Sequence, residues 1–101
     1  MNYTENFEGI KIDVQAVDIE INDGVQQLIR DIVVSLGRHT SEVNGVDVYF
    51  KEEAKQSTNP RTFSMRVGIP GKDAFASDSG DNWQVLMKSV EEKLRRQLEK
   101  R

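Results

Sequence analysis

The sequence predicts an α+β fold, a two-layer sandwich in which two helices pack on one face of a four-stranded mixed sheet. Four short runs alternate apolar and polar residues with the period of a strand, and two longer runs repeat apolar residues with the period of a helix. Their order is β-α-β-β-β-α. The β-α-β unit predicts a right-handed crossover between parallel strands, and the hairpin-linked strands after it are antiparallel. The apolar stripes of both helices can then be buried on one face of the sheet.

The first strand and helix are marked by a change in apolar spacing. The stretch "IKIDVQA", which begins at Ile10, alternates strictly and is predicted to be a half-buried strand. After it, Asn22 and Asp23 offer an N-cap for a helix, and Gly37 offers a C-terminal stop. The apolar residues of this helix recur at helical spacing: Val25, Leu28, Ile29, Ile32 and Leu36.

Three more strands complete the predicted sheet. After the turn "SEVNG", residues Val46, Val48 and Phe50 face inward in the second strand. The polar run "EEAKQSTNPR" is predicted to be a hairpin loop, and "TFSMRVGI" the third strand that returns from it. The turn "PGK" leads into a short fourth strand, "DAFAS". The outward residues are polar or small apart from Tyr49, so the far face of the sheet is predicted to face water.

The last predicted helix separates its charges by face. Ser79 is its predicted cap, with Asp81 in the first turn. The apolar stripe is formed by Trp83, Leu86, Met87, Val90, Leu94 and Leu98. At about 100° per residue, Ser89, Lys93, Arg96 and Lys100 lie on one flank of this stripe, which therefore carries three cations and no anion. The outermost face is mixed and carries Lys88, Glu92, Arg95 and Glu99.

Two interpretations of this basic flank are open. Cations near a helix C-terminus complement its dipole and cover apolar surface, as on many solvated helices. The alternative is a phosphate-binding stripe, which the uneven distribution of charge favours. Residues 1–86 hold 8 basic and 14 acidic side chains, whereas residues 87–101 hold 6 and 3.

Length and composition limit the class of protein. The 101 residues suit one domain, predicted to span residues 10–101 after a flexible lead-in of residues 1–9 that shows no periodicity. The lack of cysteine excludes disulfides and cysteine-ligated metals, and it favours the cytoplasm. Neither a secretory leader nor a run long enough to span a membrane is present, so no membrane partner is expected.

Enzyme motifs are missing from the sequence. His39, the single histidine, has no recognisable nucleophile motif to serve. The stretch "GIPGKD" departs from the spacing of a phosphate loop, and "DSGDN" departs from that of a calcium loop. The sequence therefore predicts no catalysis, no metal, no cofactor and no small-molecule substrate.

The second half of the chain contains an ordered series of features. Pro70-Gly71 turns the chain into a short strand, Asp81 is followed closely by Trp83, and the last helix closes on "KLRRQLEK". This series resembles the ribosome hibernation promoting factors, also called ribosome-associated inhibitors or sigma-54 modulation proteins, in their short form without a further C-terminal domain. The predicted order of elements is also the family's. The resemblance covers residues 10–101 and is strongest from residue 61.

The resemblance implies a function without catalysis. Such proteins are bacterial translation inhibitors of stationary phase and stress, which bind the small ribosomal subunit and its rRNA in the channel used by mRNA and tRNA. They are expected to be cytoplasmic and, off the ribosome, monomeric. The basic faces of both helices would contact RNA phosphates. The residues that the resemblance assigns to this role are Lys88, Lys93, Arg95, Arg96, Lys100, Arg30 and Arg38.

One alternative remains open within the same fold. The sequence pI is about 5.1, and the first helix offers few cations. The chain could then be a diverged protein-interaction domain that does not bind ribosomes. Its contact surface would include Tyr49 and Lys51 on the open face of the sheet, or whichever of Val33 and Val34 is exposed on the first helix.

Overall fold

The computed structural model describes residues 1–53 and 60–100, and it has the α+β architecture with both helices on one face of a mixed sheet. The strand order is β1-β2-β3-β4-β5. Strands β2 and β3 are parallel, and the other neighbours are antiparallel. The predicted hairpin loop lies largely in residues 54–59, outside the described residues. The elements are β1 (Asn2–Phe7), β2 (Ile10–Ala16), α1 (Asp23–Leu36), β3 (Gly45–Glu52), β4 (Arg61–Gly68), β5 (Ala74–Gly80) and α2 (Trp83–Glu99).

The prediction for the N-terminus was wrong, because residues 2–7 form the edge strand β1 rather than a flexible lead-in. The sheet therefore has five strands, not four. Strand β1 pairs antiparallel with β2 through a two-residue turn of Glu8 and Gly9, at φ 51° and 81°. Positive φ at both central residues is the geometry of a type I′ hairpin. The strand "NYTENF" was missed because only Tyr3 and Phe7 are apolar.

The core lies between the sheet and the two helices. Every inward residue predicted for β3 and β4 is buried, and Phe63, Met65 and Val48 have no exposed surface. At one end of this core the ring of Phe50 packs edge-on against Phe63 and Trp83, each at 5.1 Å between centroids. Such edge-to-face pairs add to the stabilisation from burial alone. The alternation read from the sequence thus gave the correct face of these strands.

The caps of the helices were only partly predicted. Asn22 caps α1 as expected, since its side chain accepts a hydrogen bond from Val25 N at 2.9 Å. The cap of α2 is Asn82 rather than Ser79, and its side chain accepts from Val85 N at 3.1 Å. Ser79 belongs to β5, which continues three residues beyond the predicted end and pairs with β4 as far as Gly80. Pairing with β4 therefore outweighs the capping tendency of a serine.

Two smaller predictions at helix ends also differ from the structure. Asp81 precedes the cap of α2 and is not in its first turn. Gly37 does end α1, but at φ −61°, a right-handed conformation that any residue can adopt. The stop of α1 therefore does not depend on the left-handed conformation that glycine favours at many helix ends.

Candidate nucleic-acid interface

The two helices lie side by side on one face of the sheet and run in the same direction. Helix α2 packs on β4 and β5, whereas α1 reaches β1 through Arg30. The helices end at the same end of the molecule, where His39, just beyond α1, lies 3.7 Å from Glu99 of α2. Arg38 follows α1 at this end, and Arg96 and Lys100 lie at the C-terminal end of α2.

Arg30 is engaged within the protein. Its guanidinium donates to both carboxylate oxygens of Glu5, with Nε–Oε1 at 2.7 Å and Nη2–Oε2 at 2.9 Å. It also donates to Gln27 at 3.0 Å. The hydrogen bond from Arg30 is the main reason that the pKa of Glu5 lies below its ordinary value. Arg30 therefore ties α1 to β1, and its guanidinium is already satisfied by a bidentate partner.

Lys93 is engaged in a similar way at the opposite edge of the sheet. Its ammonium donates to the main-chain oxygen of Ser77 at 3.2 Å and lies 3.7 Å from the Asp78 carboxylate. Ser89, one turn earlier on α2, donates to Asp78 at 2.6 Å. The pKa of Asp78 is lowered by this bond, then by the N–H of Ser79, then by Lys93. The first half of the predicted basic flank thus holds β5.

Gln97 completes the contact between α2 and β5, a role that sequence reasoning missed. Its side-chain amide donates to Phe75 O at 2.7 Å and accepts from Phe75 N at 3.0 Å. Phe75 lies on an edge strand, where main-chain groups would otherwise be available to another strand. Gln97 lies one turn beyond Lys93, and that i,i+4 spacing was the available signal. We call Ser89, Lys93 and Gln97 the β5 clamp.

Arg95 lies toward α1, in a mixed environment. Its Nε is 3.8 Å from Glu99, and it is buried without a hydrogen-bond partner among the residues described. The groove beside it, between the helices, is lined by Ser35, Lys88, Glu91 and Glu92 as well. Arg95 is therefore less available to a ligand than its position in the sequence indicated.

The remaining predicted cations are exposed and unengaged. Within residues 1–53 and 60–100, the side chains of Arg38, Lys88, Arg96 and Lys100 form no ion pair or hydrogen bond. Arg96 lies in the last turn of α2 and Lys100 is its C-cap, whereas Arg38 follows the end of α1. Cations at this position also complement the partial negative charge of the helix ends. We call Arg38, Arg96 and Lys100 the basic end.

The outer surface of α1 carries no comparable set of cations. Asp23, Gln27 and Asp31 are exposed along it, and its one cation is paired with Glu5. Val34 is 38% exposed, whereas Val33 is buried. The charge asymmetry seen in the sequence therefore persists as a contrast between α1 and the end of α2.

Clusters of metal-binding side chains and membrane-spanning helices are absent from the part of the chain that the structure describes. Over those residues, no group of three or more His, Asp or Glu side chains is arranged to hold a metal ion. None of the helices there is long and apolar enough to cross a membrane. His39 is exposed, and its Nδ1 lies 3.7 Å from the Glu99 carboxylate.

Comparison with known proteins identifies related sequences. The family model described as "Sigma 54 modulation protein / S30EA ribosomal protein" matches residues 12–101. A curated relative is the ribosome hibernation promoting factor of Acinetobacter guillouiae, which is 24% identical over 97 residues. That alignment covers 90% of this chain and 86% of the relative. The match therefore includes both helices and strands β3, β4 and β5.

Two solved structures share the fold. The N-terminal domain of Protein Y from Thermus thermophilus aligns with a TM-score of 0.73 at 15% identity, over 86% of this chain and 92% of that one. A ribosomal subunit interface protein from Coxiella burnetii aligns with a TM-score of 0.70 at 18% identity, over 88% and 93%. At these identities the likeness establishes the α+β fold with two helices on a mixed sheet.

Proposed function

The chain belongs to the sigma 54 modulation protein / S30EA ribosomal protein family, and from this premise we propose that it is a ribosome-associated hibernation factor. It acts in the cytoplasm on the small ribosomal subunit and its rRNA, in the channel that mRNA and tRNA use. By occupying that channel it keeps idle ribosomes from translating, without a chemical step. The name of the Acinetobacter relative supports the hibernation role.

The observation that carries this proposal is the basic end, together with Lys88. These cations are exposed and have no partner among the described residues, so an RNA phosphate need not displace an existing contact. Phosphate contacts of this kind position a protein on RNA without reading its sequence. Arg30, Lys93 and Arg95 already contact acidic or main-chain groups, and we assign them the smaller share of RNA binding.

The shape of the chain suits such a site. Its extents are 41 × 26 × 21 Å, and the basic end occupies one end of the molecule, where both helices finish. Structured RNA is recognised largely by shape and through its backbone. Entry of the basic end first places the free cations against rRNA and keeps the acidic outer surface of α1 away from it.

Sedimentation with purified small subunits through sucrose tests the proposal. We expect the wild-type chain to pellet at about 50 mM salt and to be released by about 200 mM, because bound phosphates release counterions. Arg96→Glu combined with Lys100→Glu is expected to weaken binding at least about tenfold. Lys93→Glu is a poor choice for this test, because it places a carboxylate beside Asp78 and disturbs the β5 clamp.

A matched control is available on the open face of the sheet. Lys11→Glu combined with Lys51→Glu changes the net charge by the same amount, at side chains that are 68% and 70% exposed. This control is expected to pellet like wild type. Equal loss in both double variants would indicate a non-specific charge effect. Wild-type chain that stays in the supernatant at every salt concentration would exclude the ribosomal function.

A protein-binding role is the second candidate, and the acidic surface of α1 favours it. Val34 is exposed there between acidic and neutral side chains, and Tyr49 is half-buried on the open face of the sheet. The same sedimentation assay separates the candidates, because an interaction domain without ribosome binding stays in the supernatant at every salt concentration, whereas a hibernation factor pellets at low salt.

A further inference from the structure

A cleft lies beside the basic end, between the β4–β5 turn and the last turn of α2. Its volume is about 450 Å³, within the range of small-molecule sites. The cleft contains Lys100, one of the predicted RNA-binding residues, and Gln97 of the β5 clamp, and its other lining residues have no role assigned so far. The lining residues are Ile69, Lys72, Asp73, Ala74, Gln97 and Lys100.

The walls of the cleft are held in place before any ligand arrives. On the α2 side, the Gln97 amide is fixed by both of its hydrogen bonds to Phe75. On the other side, the turn contains Gly71 at φ 93°, a conformation that disfavours other residues. Ile69 and Ala74 are 3% and 4% exposed, so they anchor this wall in the core. A preformed site of this kind loses little entropy on binding.

The chemistry of the lining selects a nucleotide. Most of the exposed lining is apolar, as a nucleobase requires, and the two lysines supply positive charge for a phosphate. The carboxylate of Asp73 disfavours a bare phosphate in the interior. Its Oδ2 lies 4.0 Å from Arg66 Nε, and the carboxylate can in addition accept a hydrogen bond from a base amino group, such as those of adenine and cytosine. The lining thus has one part for each half of a nucleotide.

The cleft is continuous with the proposed phosphate-binding surface. Arg96 and Lys100 are separated by four residues of α2, a rise of about 6 Å. An RNA strand whose phosphates contact these two residues therefore passes the opening of the cleft. We propose that the cleft receives one unstacked nucleotide of the bound RNA, with its base against the apolar part of the exposed lining and its phosphate between Lys72 and Lys100. This inference rests on the proposed function.

Titration of the isotope-labelled full chain by NMR tests the cleft without ribosomes. The probes are AMP, CMP, UMP and inorganic phosphate. We expect AMP and CMP to shift the backbone amides of Ile69 and of residues 71–74 and the side-chain amide of Gln97 in a saturable way. UMP, which lacks a base amino group, is expected to bind more weakly. Asp73→Asn is expected to reduce that preference.

Paired variants identify the phosphate contacts. Lys72→Gln with Lys100→Gln is expected to weaken AMP binding about tenfold, as for the loss of two exposed charge contacts. Lys11→Gln with Lys51→Gln, on the open face of the sheet, is the matched control and is expected to leave it unchanged.

The outcomes that overturn the inference are distinct from those that overturn the proposed function. If inorganic phosphate shifted the same signals as AMP by the same amount, the cleft would be an anion site without a base pocket. If no ligand shifted the signals of residues 69–74, neither an anion site nor a base pocket would be present. Either result leaves the sedimentation test untouched. Nucleotide binding by a chain that never pellets with small subunits would instead contradict the ribosomal function and separate the cleft from it.

Discussion

Strands β1 and β5, the two edges of the sheet, are each held by one helix through a cation that the family resemblance assigned to RNA. Arg30 of α1 binds the Glu5 side chain of β1, and Lys93 of α2 binds main chain and a carboxylate on β5. The difference lies in the remaining contacts. At β5 the neutral amide of Gln97 also satisfies both main-chain groups of Phe75. At β1 the connection to α1 is an ion pair.

The position of a cation in a helix does not by itself decide the role of that cation. Arg30 and Lys93 both face an edge strand that offers an acidic side chain, and both are satisfied there. Arg96 and Lys100 lie farther along α2, past Asp78, the one acidic residue of β5, and stay free of contacts among the residues described. Whether a helix cation is engaged or free therefore depends on whether the neighbouring edge strand places an acidic side chain beside it.

The largest expected effect comes from removing buried apolar contacts under the β5 clamp. Leu94 follows Lys93 on α2 and is completely buried. Leu94→Ala is expected to lower the free energy of unfolding by about 2–5 kcal/mol, because it removes apolar contacts and leaves a cavity. Phe7→Ala in β1 is the matched change at the other edge, and it is expected to cost less, since Phe7 is only partly buried. Chemical denaturation measures the free energy of unfolding of both variants. An equal decrease in the two would contradict the expected difference between the β5 and β1 edges.

A smaller effect is expected from opening the β5 edge. Gln97→Ala leaves Phe75 N–H and C=O without their partner, at a cost of about 0.5–1.5 kcal/mol. Because Phe75 is also 52% exposed, the open edge is expected to promote pairing of two chains through β5. Light scattering after gel filtration, over a range of concentrations, detects the dimer. Gln84→Ala, at an exposed position of the same helix, is the control, and an equal tendency to dimerise in it would disprove the role of Gln97.

The smallest expected effect is the contribution of one carboxylate at each edge to the pH dependence of stability. The pKa of Glu5 is lowered by Arg30, and that of Asp78 by Ser89, Ser79 and Lys93. A lowered folded-state pKa gives stability that is present above the unfolded value, about 4, and is lost as pH falls through the folded value. The free energy of unfolding is therefore expected to fall less between pH 7 and pH 3 in Glu5→Gln and in Asp78→Asn than in wild type. Chemical denaturation at both pH values measures it, and an equal fall in a variant and wild type would contradict the role of that carboxylate.

Salt sharpens the same measurement. The Glu5–Arg30 pair joins two full charges near the surface, so its contribution to the free energy of unfolding is expected to decrease at high salt. The largest contribution at Asp78 is a hydrogen bond from a neutral hydroxyl, which salt affects less. Identical salt dependence in Glu5→Gln and Asp78→Asn would show that the two edges are held in the same way.

The parts of the fold that the sequence predicted are those where burial dictates residue type. Strands β2, β3 and β4 bury one face against helices, so strict alternation identified them. Strand β1 buries its inward face only partly and carries Glu5 there, because Arg30 supplies a partner that is 25 residues away. No local pattern indicates a contact at that separation.

The same limit applies to the candidate site. The helical wheel placed Lys93, Arg96 and Lys100 on one flank, and the structure keeps them along one side of α2. It could not show that Asp78 would lie beside Lys93, because that depends on where β5 ends. The prediction ended β5 at Ser77, and the strand continues to Gly80. Their roles in RNA binding stay predictions that the sedimentation test addresses.

The sequential order of the sheet has a consequence for folding on the ribosome. Every strand pairs with the next one in the chain, so the sheet can grow from β1 to β5 in the order of synthesis. The edge of β5 then waits for α2, which supplies Gln97. Until α2 docks, the chain exposes the strand edge that the finished protein covers, and in that interval it is most open to pairing with a second chain.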